Sequence, residues 1–233
     1  MSDPRQVLDA VTGFASTVSD RSDIADVLHE LSARVSSTLA ITGAGVSLLQ
    51  DEDARFVAAD NEVVARIEHM QDDTQEGPCV EVYRRNDAVA FDDLRVMREQ
   101  WPRFAPHALA AGVGAVASVP LRHGETTIGA VDLYDAGPRT WSDDELRAAQ
   151  LLADIAAIYV TNASQLDRER RLNEQLQTAL DSRIVIEQAK GVVAAARGID
   201  VDEAFAVLRK HARDHRATLR AVAEAVVHAG LRP

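Results

Sequence analysis

The residues whose types and spacing point to a definite chemistry lie towards the end of this 233-residue chain. Arg209, Arg213 and Arg216 follow one another at intervals of four and three, with Lys210 beside them. On a helix such intervals bring side chains onto one face, so the stretch predicts a basic ridge along a helix and the turn after it. Guanidinium groups fork onto phosphates and stack on planar bases; polyanion binding is the chemistry such a ridge supports. Just upstream, Arg183, Glu187, Lys190, Ala194 and Arg197 recur at helical spacing and predict a second face. Gly191 falls inside that helix, where glycine costs roughly 1 kcal/mol against alanine. It points to tight helix packing or to the close approach of another backbone or a ligand.

Three amphipathic helices must position these groups. Ile184, Ile186, Ala189, Val192 and Val193 give the first its apolar set, and Gly198 ends it. The second has Asp200 as N-cap with Glu203 three residues on, and Ala204, Phe205, Leu208 and Ala212 as its buried side. The third opens at Thr218, a good N-cap, and carries Leu219, Val222, Ala223, Val226 and Val227 as a stripe. A module of this size needs all three helices in one core, which leaves the ridge facing water. Charge sharpens the contrast. Residues 1–164 hold 13 arginines, no lysine and 27 acidic residues; residues 182–233 hold nine basic residues, both lysines among them, and six acidic ones. A small basic module on an acidic body, with a net charge of −12 overall, fits an effector that binds a polyanion through one part only.

The blocks SRIVIEQAKG, EAFAVLRKHAR and TLRAVAEAVV, in that order and at those distances, resemble the ANTAR domain, an RNA-binding output module of bacterial antitermination regulators. The resemblance implies a three-helix domain that works as a homodimer and grips paired RNA hairpin loops in nascent transcripts, so that a terminator does not form. Carried over by position, the RNA-facing residues are Lys190 and Gly191 of the AKG block, Arg209 and Arg213. Arg183, Lys210, Arg216 and Thr218 complete the candidate RNA-binding set. Val192 and Val193 stand where the family often has leucine or methionine. Arg216 stands where it often has asparagine, which trades a contact to a loop base for one to phosphate. Recognition of RNA in single-stranded loops, whose splayed bases can be stacked and hydrogen-bonded, is the mode arginine suits.

Upstream, helices and strands alternate in the manner of an α+β fold. Helices are expected over 4–18, 23–40 (with Ser22 as cap), 62–71 and 79–85, and another within 100–111. Strands are expected over 43–50, 55–59, 88–91, 114–121 and 126–135, the last two joined by a hairpin at His123-Gly124-Glu125. Ser142 with Glu145 forms a capping box that opens a further helix. The segments GPCVEVYRRNDAVAFDDL, WPRFAPHALAAGV and SVPLRHGETTIGAVDLYDAGPRTWSDDEL resemble the GAF domain. That resemblance implies a central antiparallel sheet with flanking helices and a ligand-sized pocket under its loops. Cys79, Tyr83, Trp101 and Phe104 are the candidate ligand-binding residues there.

From Asp143 onward no proline interrupts the helical pattern, and Gly191 is the first glycine. Ile155, Ile158 and Asn162, and then Leu172, Leu176, Ala179, Arg183 and Ile186, keep heptad spacing, with polar Gln165 and Glu169 between. This predicts a long helix able to pair as a weak coiled coil, or to lie singly on its own domain. The expected organisation is a GAF-like sensor over 1–163, a coiled-coil linker over 164–181 and an ANTAR-like domain over 182–233.

Other chemistries find little support. The lone Cys79 excludes an intramolecular disulfide and fits the cytoplasm. The N-terminus lacks the pattern of a signal peptide, and no apolar run of about 18 residues is present for a membrane span. His211 and His215 stand four apart but lack a third ligand at usual spacing, so no metal is expected. Phosphate-cradling loops, nucleophile elbows and metalloprotease helices are absent from the sequence. The expectation is therefore a non-catalytic, dimeric regulator responsive to a small-molecule ligand. The alternatives are a GAF domain that docks a protein such as an upstream kinase, and a redox or chromophore sensor built on Cys79.

Overall fold

The chain is described here from a computed structural model, which covers residues 4–20, 23–51 and 53–233. It divides into two units, residues 1–164 and 165–233.

The first unit is organised on an antiparallel sheet of five strands in the order β2-β1-β5-β4-β3. The strands are β1 (Gly43–Gln50), β2 (Asp53–Ala59), β3 (Val89–Phe91), β4 (Ala115–His123) and β5 (Thr126–Asp135). The hairpin between β4 and β5 turns at Gly124, whose φ of 61° suits glycine. Side chains alternate across the sheet. Ala44, Val46, Ala117, Val119, Val131 and Leu133 point to one face and share a core with α1 (Pro4–Asp20), α2 (Ile24–Leu39) and the opening turns of α6 (Asp143–Arg197). The opposite face is covered by α3 (Glu62–Thr74), α4 (Pro78–Arg85), a short 3-10 turn at Leu94–Met97 and α5 (Phe104–Ala110).

Caps set the ends of these helices. The expected cap Ser22 lies outside the described residues; Asp23 accepts from Ala25 N at 2.8 Å and caps α2. Asn61 caps α3 through bonds to Val63 N and Val64 N. At the start of α6 the Ser142–Glu145 box forms in both directions. Arg139 holds Asp135 at 2.8 Å and also pairs with Glu145, tying the end of β5 to that cap.

The second unit holds the rest of α6 together with α7 (Val201–Asp214) and α8 (Leu219–His228). Gly198, at φ 65°, ends α6. Asp200 accepts from Asp202 N and Glu203 N and starts α7; Thr218 accepts from Ala221 N and starts α8. The core consists of Val185, Ala189 and Val193 of α6, Ala204, Leu208 and Ala212 of α7, and Val222, Ala223 and Val226 of α8.

Two expectations about this core are corrected. Ile184 and Val192 are 57% and 40% exposed, and Val185 is buried in their stead. The inward line of α6 runs 185–189–193, and Ile184 and Val192 each stand about 100° round the helix from the inward residue that follows them. Phe205 is only half-buried, because it stands at the border of the α7 stripe rather than within it. Among the described residues no helix is long and apolar enough to cross a membrane.

Candidate nucleic-acid interface and a buried carboxylate pair

In the second unit Arg209, Arg213 and Arg216 are all exposed. The first two are one helical turn apart on α7. Arg216 follows in the turn, with a left-handed φ of 51°, where Ala217 N closes onto Ala212 O at 2.9 Å. Lys210 is also exposed; it lies about 100° round the helix from Arg209 and about 60° from Arg213, so it stands at the edge of the ridge. Among the described residues none of these four cations has an acidic partner. Their charge is left to solvent or to a ligand.

Lys190 joins the ridge from the neighbouring helix. Its side chain is 15% exposed and bonds to both Glu187 oxygens at 3.0 Å. Its ammonium also lies 5.5 Å from the centre of the Phe205 ring, and the Arg209 guanidinium lies 5.7 Å from the same ring. Phe205 is the one aromatic residue of 165–233. The ring attracts both cations through its quadrupole, holding Arg209 and adding to the Glu187 bonds that hold Lys190. Gly191 is exposed, and a Cβ built on it would meet nothing within 4 Å. Packing within this chain therefore gives no reason for a glycine at that place. Arg183 is exposed on α6, and Thr218 is occupied as a cap. His211 and His215 stack on each other with ring centres 4.0 Å apart.

In the second unit, the stretch of α6 ahead of the three-helix core carries an apolar line of its own. Leu172, Leu176 and Leu180 are each more than half exposed, as is Ile184 at the next step of four.

In the first unit the sheet face under α3 and α4 is polar where it ought to be apolar. Glu68 and Gln71 of α3 and Asp132 and Tyr134 of β5 are buried together. The Tyr134 hydroxyl donates to Glu68 Oε1 at 2.9 Å. Gln71 Nε2 donates to Glu68 Oε2 at 3.2 Å and to Asp132 Oδ2 at 2.7 Å. The other end of Gln71 accepts the Cys79 N–H at 3.2 Å. Ser47 and Tyr83 share a hydrogen bond of 3.2 Å nearby. Gly45 makes room for the pair, since a Cβ there would come within 2.0 Å of Glu68 Oε1.

Burial, then the charge of Asp132, raises the Glu68 carboxyl well above its ordinary range; burial raises Asp132 to about 6. Burial also pushes the Cys79 thiol and the two tyrosine hydroxyls up, so all three are neutral.

Of the candidate ligand-binding residues, Cys79 and Tyr83 border this cluster. Trp101 and Phe104 pack edge-on to each other, ring centres 5.6 Å apart, inside the apolar core. Glu68, Gln71, Ser118, Asp132 and Tyr134 were not anticipated. Their signal is a polar residue at an inward position: Val64, Ile67, Glu68 and Gln71 share one buried helix face, and Asp132 shares a strand face with Ala130 and Tyr134.

A model of the GAF domain matches residues 19–161, and a model of the ANTAR domain matches residues 174–227. No match was found among curated protein sequences. Among solved structures, the GAF domain of the Acinetobacter phosphoenolpyruvate-protein phosphotransferase aligns with a TM-score of 0.57 at 14% identity, over 71% of this chain and 97% of its own. The free methionine-R-sulfoxide reductase of Neisseria meningitidis aligns at 0.55 and 14% identity, over 71% and 96%. The GAF domain of the cyanobacteriochrome TePixJ aligns at 0.51 and 19%, over 63% and 94%. At such identities the likeness bears on the fold alone.

Proposed function

The chain belongs to the GAF domain family through residues 19–161 and carries an ANTAR domain at 174–227, and from this we propose that it is a signal-responsive, RNA-binding regulator of transcription termination. Both modules are regulatory rather than catalytic. The observation that carries the RNA reading is the ridge of Arg209, Arg213 and Arg216, unpaired among the described residues and joined through Phe205 by Lys190. Unpaired arginines keep their forks available for phosphate and for unstacked bases.

The partner is an RNA with two adjacent hairpins, each loop held by one copy of the module. The second copy pairs along the exposed line Leu172, Leu176, Leu180 and Ile184, whose solvent exposure in a single chain is otherwise unfavourable. The first unit senses a small molecule and biases that pairing through α6, which belongs to both units. A ligand shifts the balance only by as much as it prefers one pairing over the other.

The test is binding of the full chain to a two-hairpin RNA against a loop-scrambled control across a salt series. Preference for the intact loops, lost on Lys190→Ala or Arg213→Ala, is expected. Equal binding to both RNAs removes the proposal.

A further inference from the structure

Recognition of a single-stranded loop uses planar side chains as well as cations, because each unpaired base offers a face on which a ring can stack. The second unit has few rings. Phe205 is half-buried and already carries the Lys190 ammonium and the Arg209 guanidinium. The other rings of residues 165–233 are His211, His215 and His228. Two of these stand together at the C-terminal end of α7. His211 and His215 lie face to face, with ring centres 4.0 Å apart and planes within 19° of parallel. Two bonds hold the outer ring in place: His215 donates its Nδ1–H to the His211 carbonyl oxygen at 2.9 Å and its backbone N–H to the same oxygen at 3.1 Å. His211 is half-buried, whereas His215 is exposed.

The turn that follows runs against its own backbone preference. Arg216 takes a left-handed φ of 51°, at a place after a helix that glycine or asparagine ordinarily fills, because a Cβ there crowds the following carbonyl oxygen. The chain thus sets a guanidinium, at a conformational cost, directly after the exposed ring. His211 lies about 160° round α7 from Arg209. The stack therefore does not lengthen the ridge along the helix; it stands at the end of α7, where the chain turns through Arg216.

We propose that the outer face of His215 is a stacking platform for one unpaired base of the RNA loop, with His211 as the ring that positions it and Arg216 taking an adjoining phosphate. This deepens the RNA-binding reading above and rests on it. A lone histidine on a solvent face is free to turn and loses that freedom when a base settles on it. The His215 ring is already fixed by two bonds and backed by a second ring, so little ordering is left to be lost on binding. A base placed on it extends a stack of two rings to three. Every base has such a face, so the platform recognises that a base is unpaired rather than which base it is. Arg216 has no acidic partner among the described residues, which leaves its fork available to the phosphate next to that base.

The experiment uses two-hairpin RNAs that each carry 2-aminopurine at one loop position, a base whose fluorescence falls when it stacks. On binding to the full chain, one position should be quenched. His215→Ala should abolish that quench and weaken binding about five- to hundredfold, on intact and scrambled loops alike. His215→Phe should restore the quench and most of the affinity, while His215→Lys, which keeps a cation without a ring, should restore neither. Absence of a quench at every loop position in the unmutated protein, a quench that survives His215→Ala, or His215→Lys binding as well as the unmutated protein overturns the proposal. The first of these results needs no variant to fold. Preference of the unmutated protein for intact over scrambled loops, read in the same titrations, separates the two claims. Loop preference without a quench removes the platform and leaves the regulator, whereas equal binding to both loops removes the regulator and the platform with it.

Discussion

Lys190 of α6 and Phe205 of α7 meet with the ammonium 5.5 Å from the ring centre, and Arg209 approaches the same ring at 5.7 Å. This is the contact that joins the two helices on the side where the basic residues stand. It makes the phenylalanine a positioning residue for two cations rather than a plain core residue.

Replacing that ring should therefore cost binding more than folding. Phe205→Leu keeps apolar volume but removes the quadrupole, and each cation–π contact is worth about 0.5–1 kcal/mol at an exposed site. A loss of roughly five- to tenfold in affinity for the two-hairpin RNA is expected, with Phe205→Tyr close to the unmutated protein. Hairpin titrations of the three proteins check this; equal affinities for leucine and phenylalanine would show that the ring does not set the cations.

Gly191 offers an unusual separation of stability from function. Its Cβ position is open within this chain, so Gly191→Ala should stabilise α6 by up to about 1 kcal/mol through helix propensity. If a second backbone or an RNA strand approaches there, the same methyl group should weaken two-hairpin binding. Chemical unfolding and RNA titration of the one variant read both effects. A variant that is more stable and binds as well as before would place the partner elsewhere.

The ridge and its neighbour should differ in their salt dependence. Arg213 lies on the exposed ridge, while Lys210 stands at its edge, about 100° from Arg209 and about 60° from Arg213. Each phosphate contact contributes about 0.7 to the slope of log affinity against log salt on single-stranded RNA. Arg213→Ala should lower the slope by nearly that amount, and Lys210→Ala by less. Affinities at several salt concentrations decide the matter, and equal slopes would mean that the polyanion covers that edge as well.

Much of this arrangement was legible in the sequence because it follows from local rules. The bounds of β1, the Ser142–Glu145 box, the Asp200 and Thr218 caps and the exposure of the arginines all come from turn chemistry and period. What escaped depends on angle and on distant pairing. Ile184 and Val192 share the apolar character of Val185 and Val193, but each stands about 100° round the helix from that inward neighbour. Phe205 reads as core by residue type, and only the meeting of α6 and α7 shows two cations over it. Glu68 and Asp132 lie 64 positions apart in the chain. Neither has a local feature that announces the other, since helix and strand bring them together only through the sheet.

Pairing of α6 should depend on its exposed leucines. Leu172, Leu176 and Leu180 make no core contact in the single chain, so Leu172→Glu with Leu176→Glu should leave the fold of each unit intact. It should shift sedimentation towards the monomer and cost most of the advantage of two hairpins over one, which arises from effective concentration. Analytical ultracentrifugation with RNA titration measures both. A double variant that remains dimeric would move the pairing surface off this line.

The carboxylate pair predicts an unusual direction of pH dependence. Asp132 ionises near 3.8 when unfolded and is raised to about 6 by burial in the native chain, with Glu68 raised as well. Between those values the native state binds more protons than the unfolded state, so this contribution to stability is full below about 4. It is lost as pH rises through about 6. Asp132→Asn removes the titrating group while keeping a polar side chain of the same shape. The variant should gain on the unmutated protein between pH 5 and pH 8, by an amount on the order of 3 kcal/mol at the upper end, since a tenfold change in proton affinity is worth about 1.4 kcal/mol. Trp101 and Trp141 both lie in the first unit, so urea unfolding followed by tryptophan fluorescence reports on this unit without interference from the second. Parallel stability curves for the two proteins across that range would mean that the pair keeps its charge in the folded chain, held by a partner that compensates it.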